Sequence, residues 1–357
     1  MDVNPLLGLL FHWIGGLASA SFYVPYRHVR GWSWEIFWIT GGVVSWVISP
    51  WLFAATRTND LIGIIHQTPV NVLFWCYFFG LMWGLGGLTF GLALRYLGLS
   101  LGMAIALGVT MIFGTLIPPI FKGTFVALAL TSSGKIILFG VVVALLGIAV
   151  IAAAGRSKER EMTQEQRQKS VVEFDFVKGV GLAIFSGVMS ASFAYGLAAG
   201  EPMRKIALAA GTHHLDQGLA VLCIILAGGF TTNLIWCAYL IQKNGTIKQL
   251  IGVNDLGVAS HKNKIPLARN FLLCTLAGLA WYLQFFFYTM GESQMGKFGF
   301  SSWTLHMASI IIFSTLWGFA LKEWQGVNSR TNLLVWLGIF TLVSATAVIG
   351  IGNKLGA

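Results

Sequence analysis

The chain has 357 residues, of which 56% are hydrophobic and only 10% charged, against about 25% charged in an ordinary soluble domain. Thirteen acidic and 23 basic side chains cannot cover the surface of a soluble body this long, which excludes a soluble globular protein, a disordered chain and a collagen-like repeat. The net charge of +10 sits in loops between apolar blocks, where it points to the cytoplasmic face of a membrane and away from a nucleic-acid partner.

A helical span needs roughly 20 apolar residues. Ten such segments are expected, at 6–24, 35–54, 71–95, 99–121, 134–154, 177–199, 216–241, 267–291, 298–321 and 332–352. The first is not expected to be a cleavable signal peptide: Asp2 and no basic residue precede it, and Arg27 and Arg30 follow it. Sixteen Lys and Arg fall in the odd-numbered loops and seven in the even loops and tails. The positive-inside bias then places the odd loops in the cytoplasm and both termini outside. The fifth loop, at 156–176, is a basic linker that divides the chain into residues 1–155 and 177–357, five spans each. The four cysteines lie in apolar stretches without CxxC spacing, and His213-His214 has no neighbouring Cys or carboxylate. No disulfide, metal site or cofactor is expected.

The two halves carry matching motifs. Gly16-Leu-Ala-Ser19-Ala20-Ser21-Phe22 in span 1 corresponds to Gly187-Val-Met-Ser190-Ala191-Ser192-Phe193 in span 6, offset 171. Cys76 and Gly80-Leu-Met-Trp83 in span 3 correspond to Cys274 and Gly278-Leu-Ala-Trp281 in span 8, offset 198. Phe113-Gly-Thr115-Leu116 and Lys122 correspond to Phe313-Ser-Thr315-Leu316 and Lys322, offset 200. Gly140 and Ala149-Val-Ile151 correspond to Gly338 and Ala347-Val-Ile349, offset 198. Five spans is an odd number, so the second copy enters the membrane from the opposite side. The expected fold is an all-α membrane protein of ten transmembrane helices in a five-plus-five inverted-topology repeat, the architecture of many secondary transporters. A duplicated scaffold without transport is the competing reading.

An ionisable group at membrane depth is costly and therefore a functional candidate. His12 lies about two turns into span 1 and His306 near the middle of span 9; Gln284 is deep in span 8 and Asn233 in span 7. A structural hydrogen bond between helices is the alternative role for both histidines, and helix-to-helix bonding is the commoner role for Asn233 and Gln284. Arg95, Glu35, Glu323 and Asp216 sit at span ends, where charge is cheap; Lys322 and Glu323 have each other or a neighbouring helix as partners. The stripe Trp281, Tyr282, Phe285, Phe286, Tyr288 reads as packing or as a platform for a sugar ring. No Asp or Glu occupies the middle of a span, so a coupled proton falls to His12 or His306, whose unperturbed pKa is near 6.5, with Glu35 and Glu323 in reserve. Walker A, prenyltransferase and nucleophile motifs are lacking, which disfavours ATP hydrolysis, lipid-transfer chemistry and a membrane-embedded sensor or enzyme.

These residues resemble the bacterial L-rhamnose–proton symporters. The resemblance is carried by Phe11-His12-Trp13-Ile14-Gly15, Phe22-Tyr23-Val24-Pro25, Trp32-Ser33-Trp34-Glu35, Met82-Trp83-Gly84 through Arg95-Tyr96-Leu97-Gly98, Trp281 to Tyr288, Ser302-Trp303, Leu305-His306-Met307 and Leu321-Lys322-Glu323-Trp324. It spans all ten segments and weakens near 55–70, 155–175 and 243–266. It implies the drug/metabolite transporter superfamily fold, with a central cavity of spans 1–4 and 6–9 and peripheral spans 5 and 10. It also implies inward symport of L-rhamnose and a proton at the inner membrane. In this reading Trp83, Trp281, Tyr282 and Gln284, with His12 and His306, contact the sugar. The proton passes by His12, His306, Glu35 or Glu323. Sugar, protons and membrane lipid are the partners implied, without nucleic acid or an obligate protein. The chain departs from the family pattern where Gly87 and Thr89 stand in place of two asparagines. Export or exchange of another small solute is the alternative.

Overall fold

The computed structural model describes residues 3–97, 99–161, 175–253 and 265–356. Among these residues there is no strand, and ten helices are long and apolar enough to cross a membrane. They are span 1 (Pro5–Tyr26), span 2 (Trp34–Arg57), span 3 (Val70–Leu97), span 4 (Gly102–Phe121) and span 5 (Ser132–Glu161). Span 6 (Phe176–Ala209), span 7 (His214–Asn244), span 8 (Leu267–Ser293), span 9 (Gly296–Ala320) and span 10 (Ser329–Gly356) follow. In hydrocarbon each backbone N–H and C=O needs an internal partner, and a continuous helix supplies it. Ends are set locally. Asn4 accepts from the Leu7 N–H with Pro5 at the first helical position, Asp175 caps span 6 through the Lys178 N–H, and left-handed Gly245 stops span 7. Of the expected linker 156–176, Arg156–Glu161 continue the helix of span 5, Asp175 and Phe176 begin span 6, and residues 162–174 lie outside the described residues.

Contacts between span ends follow loop parity, as alternate crossings require. On the odd-loop face Arg27 pairs with Glu323 at 3.0 Å, the Trp32 indole donates to the Gln249 carbonyl at 2.8 Å and the Lys178 ammonium donates to the Tyr96 hydroxyl at 2.8 Å. On the even-loop face Arg57 holds Asp216 with two bonds of 2.8 and 3.2 Å, Lys122 pairs with Glu201 at 2.6 Å, and the Asn4 N–H donates to Gln294 at 3.1 Å.

The helices do not pack in chain order. Span 1 lies against spans 8 and 9, span 6 against spans 3 and 4, span 3 against span 7, span 2 against span 8, and span 5 against span 10. Glycines at the crossings let backbones approach. Gly80 rests on the Ile225 carbonyl of span 7 and Gly278 on the Gly41 carbonyl of span 2. Gly140 receives Ile349, and Gly338 receives Ile151. The largest core joins Trp46, Cys76, Phe193, Leu222, Tyr282, Phe285 and Trp303 from spans 2, 3, 6, 7, 8 and 9. Spans 5 and 10 belong to a separate cluster with Met111 and Ile312.

Candidate functional site

Span 2 is an α-helix at both ends but winds as a π-helix over Val44–Ile48, at its centre. Such wide turns commonly mark functional positions. This one places Ser45 and Trp46 in the interior, where neither the hydroxyl nor the indole N–H has a partner among the described residues. Around Trp46 four other spans contribute aromatic rings, spans 3, 6 and 8 from near their middles and span 1 from Phe22 near its end. Trp83 stands edge-on to Trp46 at 6.3 Å, to Phe193 at 5.3 Å and to Phe285 at 5.4 Å. Phe193 and Phe285 are 4.5 Å apart, and Trp281 meets Phe285 at 5.9 Å and Phe22 at 4.2 Å. A cavity lined by Phe22, Trp38, Ser45, Trp46, Gly278 and Trp281 has a volume of about 10 Å³, room for no more than one water. Between these rings the chamber is too narrow to admit a sugar.

The helical period divides the aromatic stripe of span 8 into two faces. Trp281, Gln284, Phe285 and Tyr288 share one; Tyr282 and Phe286 share the other, against Phe53 at 5.2 and 5.1 Å. On the first face, towards the even loops, Tyr288 meets both buried histidines. Ring centroids are 5.3 Å apart for His12–Tyr288, 5.2 Å for Tyr288–His306 and 6.2 Å for His12–His306. His12 and His306 are 0% and 2% exposed, and among the described residues none of the four ring nitrogens makes a hydrogen bond of standard geometry. The elements hold them firmly: Ser309 donates to the His12 carbonyl at 2.9 Å, and Gly16 seats Ser309. The Gln284 amide nitrogen and the Trp13 and Trp281 indoles are likewise buried and unpartnered. Buried polar groups in folded proteins are nearly always bonded. Donors and acceptors left over beside aromatic faces form a site suited to a small polyhydroxylated solute and to a mobile proton.

The residues singled out from sequence separate into groups. His12 and His306 come together, with Gln284 and Trp281 on the same face of span 8 and Trp83 across the chamber. Tyr282 lies on the other face, its hydroxyl buried and unpartnered. Glu35 is at the odd-loop end of span 2, accepting from Asn244 and Thr246 at 3.0 Å each. Glu323 is held by Arg27 on the surface, so its partner is the neighbouring helix and not Lys322. Asn233 accepts from the Trp38 indole at 2.9 Å and donates to the Gly229 carbonyl, the interhelical role weighed above. Thr89 bonds within its own helix, and a side chain on Gly87 would meet nothing within 4 Å.

Sequence reasoning passed over an ion pair just above the histidines. Arg204, on the turn of helix Glu201–Ala209, donates to Glu292 at 2.8 Å with side chains only 14% and 19% exposed. Glu292 is one helical turn beyond Tyr288. No linear signal identifies it, because each member sits at a span end like any interfacial charge.

Ten membrane-length spans around a buried aromatic and imidazole centre have the build of a polytopic membrane transporter. The family model for the L-rhamnose-proton symport protein matches residues 1–354. The chain is 37% identical over 347 residues to an L-rhamnose-proton symporter of Escherichia coli, with 97% of each chain covered. It is 38% identical over the same length to that of Cronobacter sakazakii and 37% to that of Klebsiella pneumoniae, again with 97% coverage of each chain. The chain belongs to the L-rhamnose-proton symport protein family.

Proposed function

We infer that this protein imports L-rhamnose, or a closely related 6-deoxyhexose, across the bacterial inner membrane together with a proton. The observation that carries the reading is the buried His12–Tyr288–His306 cluster, in a chain that belongs throughout to a family named for rhamnose–proton symport. Trp83 and Trp281 supply faces for the apolar C–H side of the sugar, Gln284 an amide for its hydroxyls, and His12 and His306 nitrogens that bind and release a proton. Tyr282, Glu35 and Glu323 stand apart from this cluster and hold secondary roles. Odd loops face the cytoplasm and the termini face outward. The driving force is adequate: one charge crossing 100 mV yields about 2.3 kcal/mol, which at about 1.4 kcal/mol per tenfold supports roughly 50-fold accumulation.

The fold that goes with this function is the five-plus-five inverted repeat of the drug/metabolite transporters, residues 1–155 and 177–357. The packing supports it. Exchanging each span n for n+5 turns the span 1 contacts with spans 8 and 9 into the span 6 contacts with spans 3 and 4. Residue contacts exchange too: Trp281 with Phe22 becomes Trp83 with Phe193, and Gly140 on Ile349 becomes Gly338 on Ile151. A frame with interchangeable halves is what alternating access around a central site requires.

The test is uptake of labelled L-rhamnose into proteoliposomes with and without an inward proton gradient. Saturable uptake that rises with the gradient is expected. Correctly inserted protein that moves no rhamnose, or moves it indifferently to the gradient, refutes the reading and favours export or exchange of another small solute.

A further inference from the structure

The repeat frame is symmetrical, but the titratable residues on it are not. Under the offsets found in the sequence, His12 corresponds to Ala183, Tyr288 to Phe90, His306 to Ala106, Glu292 to Leu94 and Arg204 to Ser33. Ala183 and Ala106 lie with Ala93 and Leu97 in an apolar cluster against which Phe90 packs. What is a hydrocarbon seal between spans 3, 4 and 6 towards the odd-loop face is a titratable cluster between spans 1, 8 and 9 towards the even-loop face. The Arg204–Glu292 pair lies above that cluster. Gly291 brings them close: a side-chain carbon at this glycine would stand 2.8 Å from the His12 ring, so the imidazole lies against the backbone next to Glu292. Tyr288 and Glu292 lie one helical turn apart on span 8.

A purely structural role is a poor account of this pair. Replacing a buried ion pair by apolar residues is often neutral or stabilising, and the corresponding positions on the opposite face carry Leu94 and Ser33. Arg204 is also incompletely satisfied: its Nη2 donates to Glu292 Oε2, while its Nε is buried without a partner among the described residues. A guanidinium held at one corner is free to change partners.

Resting on the symport reading above, we propose that Glu292 is the group through which the external proton enters, and that its pairing with Arg204 is the latch of the outer gate. A proton from outside water adds to a Glu292 carboxylate oxygen, and the neutral carboxyl no longer holds Arg204 by charge. The proton then passes to a neutral imidazole nitrogen of His12 or His306, the carboxylate is regenerated, and the pair re-forms behind it. The charges around this step come from several elements. Arg204 is flanked on its own helix by Glu201, which pairs with Lys122 of span 4 at 2.6 Å and with Lys205 at 3.3 Å. His214 of span 7 reaches Gln294, two residues beyond Glu292, at 3.3 Å. Tyr288, His12 and His306 lie beneath. The apolar mate of this cluster on the other face, Phe90, Ala93, Leu97, Ala106 and Ala183, carries no titratable side chain among the described residues.

Purified wild-type protein, Glu292→Gln and Arg204→Gln are reconstituted in proteoliposomes, and two L-rhamnose fluxes are read: accumulation driven by an inward proton gradient, and exchange of labelled for unlabelled sugar at equal pH. Glu292→Gln is expected to lose at least tenfold in driven accumulation while exchange stays within about threefold of wild type. Arg204→Gln removes the positive charge that favours the carboxylate, so driven uptake should extend to higher external pH. Driven accumulation retained in Glu292→Gln overturns the proposal alone; so does loss of both fluxes in protein that elutes like wild type, which makes the pair structural. If Glu292→Gln is not recovered from membranes, an unchanged pH profile in Arg204→Gln overturns it. Wild-type protein indifferent to the gradient overturns the symport reading, and this proposal with it.

Discussion

Two glycines on one face of span 3 should respond oppositely to the same added methyl group. At Gly80 a Cβ would fall inside the van der Waals shell of the Ile225 carbonyl oxygen and 2.9 Å from its carbon. Both are backbone atoms of span 7, so no side chain can swing away. Restoring an ordinary carbon–oxygen contact of about 3.3–3.6 Å requires the backbones to part by more than about 1 Å along that line, and a gap of that size forfeits about half or more of the dispersion energy of each facing atom pair. The expected cost of Gly80→Ala is about 1–3 kcal/mol. Gly87, two turns on, has nothing within 4 Å of such a carbon, and Ala is preferred over Gly in a helix by about 0.8–1.0 kcal/mol. Thermal unfolding in one detergent should therefore place Gly80→Ala several degrees below wild type and Gly87→Ala at or above it. Gly278→Ala, which would press on the Gly41 carbonyl, should follow Gly80→Ala. Equal melting of the Gly80 and Gly87 variants would refute the assignment of one glycine to packing and the other to open space.

His306→Ala should abolish gradient-driven accumulation of L-rhamnose, checked in proteoliposomes; unchanged driven uptake removes His306 from the proton path. Trp281→Ala should raise the KM for rhamnose about two- to tenfold, since an aromatic platform contributes about 0.5–1.5 kcal/mol beyond area; an unchanged KM takes the ring out of the site. Arg57→Ala strands Asp216, whose side chain is 5% exposed, and should lower stability by about 1–3 kcal/mol, discounted from a fully buried pair because Arg57 is half in solvent. Arg27→Ala, whose partner is as exposed as itself, should change melting by under about 1 kcal/mol. Equal losses in the two arginine variants would show that burial does not set the value of these pairs.

The spans were legible because hydrocarbon imposes a single constraint on every segment, so hydropathy alone places Val70–Leu97 or Ser329–Gly356 within a few residues. The cross-half contacts were legible in part: the Gly-Leu-Met-Trp and Ser-Ala-Ser-Phe motifs matched between halves are those whose Trp and Phe meet across them. The two histidines stood out by cost, and their meeting at Tyr288 did not, since span 8 offers an unbroken aromatic run that only the helical period divides. The π-turn at Ser45-Trp46 has no signature among the residues that form it. Arg204 and Glu292 are 88 positions apart, and each alone looks like a residue reaching for the interface. What sequence withheld was pairing, which depends on how helices distant in the chain cross.

The crossed packing of the spans also sets an order of assembly. Span 1 enters the membrane before either of its partners, spans 8 and 9, has been made, and spans 3 and 4 wait for span 6. Until then Gly16, shaped to receive Ser309, and His12 face lipid or transient neighbours. Half of the ring contacts around the chamber link residues more than a hundred positions apart, among them Trp83 with Phe193, Trp83 with Phe285 and Trp281 with Phe22, so the chamber is completed late in folding. The reciprocal seating of spans 1 and 6 on the opposite half thus makes each half the template on which the other completes its fold.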